Sequence, residues 1–295
     1  MRFEVTILGN GSGSPTGTMH HTAHVLNVRE QFFLIDCGEG TRSRMVRMGI
    51  SPLKIKAVFI SHIHGDHLFG LMPLISSLGL AGKQTPLKIF GPAELRKMLD
   101  FFQHDFGPPV GFELDFTPVD TTKHLRIFEN RSMEVWSVPL RHRVPSSGYV
   151  FIESGNGRGG CGYAEHALAD APAAHALQLK HNFYPRSYAF MSDTHPSPRA
   201  ADIVREACPA GVDLMYHEST FAEAEKRLAK NTGHSTAMQA ARIAQKAGAK
   251  KLLIGHFSSR YKDLSLLENE ARTIFPETFI AAEGETFSVS RIPVL

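Results

Sequence analysis

Ser61-His62-Ile63-His64-Gly65-Asp66-His67-Leu68-Phe69-Gly70-Leu71 places three imidazoles and a carboxylate within six positions, directly after the apolar run Ala57-Val58-Phe59-Ile60. His62 and His64 stand at i and i+2 of an extended segment and so point the same way, while the turn at Gly65 can bring Asp66 and His67 round to a second position. One short loop therefore offers donors to two metal ions. A histidine-rich surface turn has a similar composition, but nothing would require it to end a buried strand.

Working outward, other strand-like runs finish on the same kinds of residue. Phe32-Phe33-Leu34-Ile35 ends in Asp36, Met133-Glu134-Val135-Trp136-Ser137-Val138 leads to His142, Tyr188-Ala189-Phe190-Met191 ends in Ser192-Asp193, and Lys251-Leu252-Leu253-Ile254 ends in Gly255-His256. If these strands direct their C-terminal ends to one edge of a sheet sandwich, the polar residues meet there. Strand ends hold side chains more firmly than free loops do. Helical patterns lie between the strands, at Thr41 to Met48, Leu68 to Leu80, Ala93 to Phe102 and Pro198 to Ala207. The clearest runs from Ser235 to Ala247, with Ala237, Ala240, Ala241, Ile243, Ala244 and Ala247 on one face and Gly248 ending it. An α/β sandwich with helices packed outside is the expected class.

At 295 residues the chain can bury an ample core, and a net charge of +3 permits a nucleic-acid partner without indicating one. Cys37, Cys161 and Cys208 form no close pair, which argues against a disulfide framework. No apolar run is long enough to span a bilayer, and Met1 to Leu8 alternates like a strand rather than a secretory signal, so the cytoplasm is the expected compartment. Cys37 reads as a small buried residue. The glycine-rich Gly9-Asn10-Gly11-Ser12-Gly13-Ser14-Pro15 does not fit G-x-G-x-x-G and is followed by a strand-like stretch, which excludes a dinucleotide fingerprint. Asp36, ending a buried strand before Gly38 and Gly40, is expected to accept hydrogen bonds from a ligand histidine or from the loop backbone.

Together with the histidine loop, six further segments are similar to those of one family. They are Asp36-Cys37-Gly38-Glu39-Gly40-Thr41, His142 to Tyr149, Ser192-Asp193-Thr194, His217-Glu218-Ser219-Thr220-Phe221, Gly233-His234-Ser235-Thr236-Ala237 and Gly255-His256-Phe257-Ser258-Ser259-Arg260-Tyr261. The loop resembles that of the metallo-β-lactamase fold superfamily, and the segments in this order resemble ribonuclease Z, the tRNA 3′-processing endonucleases. The resemblance implies a four-layer αββα sandwich forming a single domain over 1–295. It also implies two zinc ions, one held by His62, His64 and His142, the other by Asp66, His67 and His256, with Asp193 bridging. Imidazole and carboxylate donors suit zinc and admit manganese or iron. His234 and Glu218 would protonate the departing oxygen, and Asp66 would also take a proton from the attacking water. The implied reaction removes the 3′ trailer of precursor tRNA and leaves a 3′-hydroxyl on the tRNA, and the implied assembly is a homodimer.

Two departures bear on the substrate. Where the family's glycine-rich loop often carries an Arg-Asn pair, this chain has Met19-His20-His21-Thr22, and the protruding arm expected around 154–187 is short, with Arg158, Lys180 and Arg186 as its basic residues. Phosphates are gripped by clustered Lys and Arg, so RNA contacts are expected from the partner subunit or nearer the site, at Arg42, Arg44 and Arg47 along the helix after Asp36, the last two on one helical face, and at Arg260. His234 has a structural alternative, as a residue beside a helix-capping Ser235. The competing function is a small-molecule phosphodiesterase or other hydrolase on the same dinuclear site. A non-catalytic metal- or RNA-binding homologue is disfavoured because every ligand and both proton-transfer residues are present.

Overall fold

The computed structural model describes residues 2–13, 19–106, 110–154 and 185–290. The arm expected around 154–187 falls mostly outside these residues, including Arg158 and Lys180.

Two seven-stranded sheets form the centre. The first has β1 (Phe3–Gly9), β2 (Ala23–Val28), β3 (Gln31–Ile35), β4 (Ile55–Phe59), β5 (Leu87–Gly91) and β6 (Leu114–Pro118), with the late strand β14 (Thr286–Ser288) on the β1 edge. The second runs β13 (Thr278–Ile280), β12 (Leu252–Gly255), β11 (Leu214–Glu218), β10 (Ser187–Met191), β9 (Ser147–Glu153), β8 (Met133–Pro139), β7 (Arg126–Glu129). In each sheet one half is antiparallel and the other parallel, the parallel pairs being β3 to β6 and β10 to β13. Parallel pairing needs crossover connections, which supply the helices that cover the outer faces.

On the first sheet lie α1 (Thr41–Arg47), α3 (Leu71–Leu80) and α4 (Leu95–Asp105), packed through Met45, Leu74, Leu78 and Leu99. On the second lie α5 (Pro198–Ala207), α7 (Ala237–Ala247) and α8 (Ser265–Arg272), which bury small residues such as Ala201, Ala240, Ala244 and Ala271. Between the sheets an aromatic core contains Phe33, Phe59, Phe90, Tyr149, Phe151, Tyr188, Phe190 and Tyr216. The αββα order expected from the sequence is the observed one. No helix among the described residues is long and apolar enough to cross a membrane.

Three expectations change. The single helix over Leu68 to Leu80 is two, α2 (Gly65–Leu68) and α3, separated at Gly70. The Gly70 N–H donates to Cys37 O at 2.8 Å, and a Cβ there would come within 2.0 Å of Gly38 O, so the break is set by close packing against the Asp36 turn. Helix α7 is capped by Thr236, whose side chain and that of Gln239 form a reciprocal capping box, and not by Ser235. Arg186 is buried: it pairs with Glu153 through two 2.8 Å hydrogen bonds and lies over the Phe3 ring, which removes it from any RNA-gripping arm.

Gly70→Ala should destabilise the protein by about 1–3 kcal/mol, the usual cost of overpacking, visible as a lower denaturation midpoint; an unchanged midpoint would show that the Gly38 backbone gives way freely.

Glu134 on β8 supplies a pH-dependent test. It is 1% exposed, neither carboxylate oxygen has a hydrogen-bond partner among the described residues, and Arg126 stands 3.7 Å away. Burial outweighs that attraction and lifts its pKa from 4.5 to about 7. The native state then keeps a proton that the unfolded chain has released. The stability this contributes is complete below pH 4.5 and is lost as pH rises to about 7. Glu134→Gln should therefore raise Tm at about pH 8 and leave it nearly unchanged at about pH 4.5. An equal gain at both values would mean that the carboxylate charge is not what the substitution relieves.

Candidate metal centre

Because β3 and β4 run parallel in one sheet and β10, β11 and β12 in the other, their C-terminal ends collect at one edge of the sandwich. They deliver Asp36, His62, Asp193, Glu218 and His256 there. The turn from β8 to the antiparallel β9 brings His142 to the same edge, since Tyr149 of β9 pairs with Phe190 near the end of β10. His234 arrives from α6 (Lys226–Thr232), which Gly233 ends with a left-handed φ of 85°.

The inward atoms form two groups that share one carboxylate. His62 Nε2 and His142 Nε2 lie 3.1 and 3.3 Å from His64 Nδ1, and 3.6 and 3.8 Å from Asp193 Oδ2. In the second group, His67 Nε2 and His256 Nε2 are 3.2 Å apart, and Asp66 Oδ2 lies 3.7 and 3.5 Å from them. Asp193 Oδ1 is 3.4 and 3.1 Å from the same two nitrogens. One Asp193 oxygen thus faces each group.

These residues fit divalent metal ions. Donors about 2.0–2.1 Å from a tetrahedral ion stand roughly 3.4 Å from one another, the scale of the separations seen. Asp193 Oδ1 is buried with no hydrogen-bond partner, as expected of an atom whose counterpart is a cation. In four of the five histidines, His62, His67, His142 and His256, the other imidazole nitrogen is occupied, so that the inward one is free to coordinate. His67 Nδ1 donates to Asp36 Oδ2 at 2.7 Å and His142 Nδ1 to Gly233 O at 2.8 Å. Ser61 Oγ donates to Asp36 at 2.8 Å and faces His62 Nδ1 at 2.9 Å; Thr220 Oγ1 donates to Glu218 at 2.9 Å and faces His256 Nδ1 at 3.0 Å. Each hydroxyl spends its proton on a carboxylate and accepts from the imidazole, which fixes the tautomer.

The carboxylates of this edge draw positive charge toward it. Burial holds His62, His64 and His142 below the usual imidazole range. Burial also opposes charge on His67, but the Asp193 and Asp36 carboxylates prevail and raise it well above that range. For Asp193, burial disfavours ionisation and the surrounding imidazoles, His256 and His67 foremost, outweigh it.

His234 lies at the more open side, its ring 5.2 Å from that of His142 and 5.4 Å from that of His256. Its Nδ1 is 3.3 Å from Glu218 Oε1, which leaves Nε2 as the available nitrogen. Burial lowers its basicity, yet Glu218 reverses this and lifts the pKa to about 9. Glu218 is fully buried and also accepts N–H groups of Thr194, Thr220 and Ser235. Ser235, expected as a helix cap, instead donates its hydroxyl to Thr194 O at 2.8 Å and so braces the Asp193 loop.

Arg44 does not match its expected use. Its guanidinium is 3.2 Å from Glu283 Oε2, which also takes His20 Nδ1 at 2.8 Å, so Arg44 is drawn inward while Arg47 stays exposed. The partner comes from far along the chain and no local spacing announces it. His20 and His21 are likewise tied down: His21 Nε2 meets Gly13 O at 3.0 Å, and the Gly13 N–H donates to Asp66 Oδ2 at 2.8 Å. Arg260 is exposed, with its guanidinium 5.0 Å over the Phe221 ring. Ser61 and Thr220 escaped notice in the sequence although both sit in the quoted motifs; hydroxyls beside a ligand were the available signal.

Known proteins of similar sequence and shape bear on this geometry. A family model described as anti-Pycsar protein Apyc1 matches residues 3–104, about a third of the chain. The ribonuclease Z of Parabacteroides distasonis is 38% identical, the match covering 97% of this chain and 99% of that one. Human tRNase Z, short form, superposes with a TM-score of 0.74 at 25% identity over 97% of this chain and 99% of that one. The metallo-β-lactamase fold protein YhfI from Bacillus subtilis gives 0.72 at 19% identity over 97% and 98%, a likeness of fold.

Asp36→Ala should leave His67 Nδ1 without its acceptor and lower affinity for divalent metal about 10–100-fold. Competition with a chelator measures this, and unchanged affinity would reduce Asp36 to a turn residue.

Proposed function

Because this chain belongs to the ribonuclease Z family, we propose that it is a metal-dependent endoribonuclease that removes the 3′ trailer of precursor tRNA and leaves a 3′-hydroxyl. The observation that carries the reading is the His234–Glu218 pair at the open side of two donor groups that share Asp193. The pair supplies a proton donor where a phosphodiester drawn to both groups would lose its leaving oxygen.

His62, His64 and His142 would hold one zinc ion and Asp66, His67 and His256 a second, with Asp193 offering one oxygen to each, two ions per chain; manganese or iron would suit the same donors. Bound there, the ions lower the pKa of a water and offset phosphate charge. The chain's own residues do the rest. Asp66, a member of the second donor group held by the Gly13 N–H, accepts a proton from the attacking water. His234 donates from Nε2 to the departing oxygen while Glu218 holds Nδ1 and fixes the ring. Asp36 and Thr220 keep the ligand imidazoles in the coordinating tautomer. The inter-sheet core supports reading 1–295 as one domain. By family we also propose a homodimer, working in the cytoplasm.

Cleavage of a 3′-extended precursor tRNA, run beside a nitrophenyl phosphodiester with zinc and manganese, tests the reading. Efficient hydrolysis of the small diester with no cut in the precursor would replace it by a small-molecule phosphodiesterase. Within it, His234→Ala should keep its metal content and slow precursor cleavage by about two to four orders of magnitude. The defect should shrink for the nitrophenyl leaving group, which needs no proton. Equal defects on both substrates would take His234 out of the acid role.

A further inference from the structure

Three exposed cations lie on the two segments that adjoin His234. Arg141 and Arg143 flank His142 in the turn between β8 and β9, and Lys230 lies in the last turn of α6, four residues before His234. The turn is anchored: the Arg141 N–H donates to Thr194 Oγ1 at 3.0 Å, the His195 N–H donates to Arg141 O at 2.8 Å, and His142 is tied to Gly233 O. A Cβ on Gly233 would lie 3.4 Å from Arg143 Cγ, so the Arg143 side chain runs alongside the residue that precedes His234. Among the described residues, the head groups of Arg141, Arg143 and Lys230 have neither an ion pair nor a hydrogen bond. The carboxylates beside His234, Glu218 and Asp193, are buried and already engaged. On another side of His234, Phe221 packs edge-on with ring centres 6.1 Å apart and carries Arg260 above it. The Asp66 side differs: its neighbouring loop is closed by Gly13 and His21, and Arg44 is neutralised by Glu283.

The position of the acid decides what this charge faces, granted the ribonuclease reading. Water oxygen forms a bond to phosphorus, the bond from phosphorus to the 3′-oxygen breaks, and that oxygen takes the electron pair and the proton from His234. The trailer keeps the phosphate at its 5′ end. The group next to His234 is therefore the 3′ end of the mature tRNA, and the trailer lies across the site. We infer that Arg141, Arg143 and Lys230 hold the 3′-terminal phosphates of the tRNA product and not those of the trailer. Such contacts position the strand without reading its bases.

The two products distinguish the sides. Mature tRNA and a 5′-phosphorylated trailer oligonucleotide are titrated separately against wild-type protein and against the triple variant Arg141→Gln, Arg143→Gln, Lys230→Gln, over a range of salt. The variant should bind tRNA at least about tenfold more weakly, and its slope of log affinity against log salt should fall by about 2 to 3, near one per lost cation. Trailer affinity should stay within about twofold of wild type. Equal weakening of both products, selective weakening of the trailer, or an unchanged tRNA slope would each overturn the assignment. The variant Arg141→Lys, Arg143→Lys keeps the charges and should keep the wild-type slope; loss of the slope there would make turn geometry, not charge, responsible and would also overturn it. Precursor cleavage by the wild type is measured alongside. Failure to cut rejects the ribonuclease reading, whereas cutting combined with any adverse binding result rejects only the cation assignment.

Discussion

Asp193 is a fully buried carboxylate at the seam between the two sheets, and the architecture of the edge answers the need to compensate it. An isolated ionised carboxylate out of water is very costly, and pairing redeems it only when geometry and further hydrogen bonds are good. Here Asp193 stands at the end of β10, one oxygen toward each imidazole group, within 3.1 to 3.8 Å of four ring nitrogens. Two of those rings come from the first sheet and two from the second. The sandwich must therefore close in one register for the charge to be met, and the compensation that stabilises Asp193 also assembles the site.

Hydroxyls make that register specific. Ser61 Oγ, at the end of β4, touches Asp36, His62 and Ser192 Oγ, the last across the seam at 2.8 Å, and Tyr149 of β9 donates to Ile60 O at 2.6 Å. A network of this kind rigidifies when every member is satisfied and is costly when one is missing. That is why the residues behind the ligands matter as much as the ligands. Asp36 is fully buried and stands outside both donor groups, yet it determines the proton on His67 and the orientation of Ser61, and so reaches both groups.

What the sequence discloses follows from range. The His62 to His67 loop was readable because its four donors are covalent neighbours, and Asp36, Asp193 and His256 because each closes an apolar run whose end a parallel sheet must gather at one edge. The break at Gly70 was not readable: the apolar pattern runs straight through it, and only the approach of the Cys37 and Gly38 backbone demands a missing side chain there. Ser235 looked like a cap because it precedes the helix, but Thr236 has the Gln239 partner that the capping box needs. Arg44 and Arg47 do share the helical spacing read from the sequence. Their shared face dissolves only because Glu283, brought in beside β1 near the end of the chain, pulls Arg44 inward. Local rules located the donors, and long-range partners decided which charges remained free.

Backbone conformation carries the same division one step further. Asp36 and His256 adopt left-handed φ values of 55° and 59°, one at the end of β3 and the other at the end of β12. Non-glycine residues held there cost of order 1–3 kcal/mol, and such a conformation persists only where surrounding interactions over-determine it. Both residues stand where a strand stops and its side chain must turn from the face of the sheet to its edge. Glycine would relieve the backbone at either position but would remove the acceptor for His67 or a donor of the second group. At Gly233 the demand is reversed: φ is 85°, nothing is asked of the side chain, and a Cβ would lie 2.9 Å from His142 Nδ1. The residue type at each left-handed turn therefore follows from whether the edge needs a functional group there or needs space. At this edge of the sandwich, strain at Asp36 and His256 accompanies the gain of a polar atom that serves the metal centre.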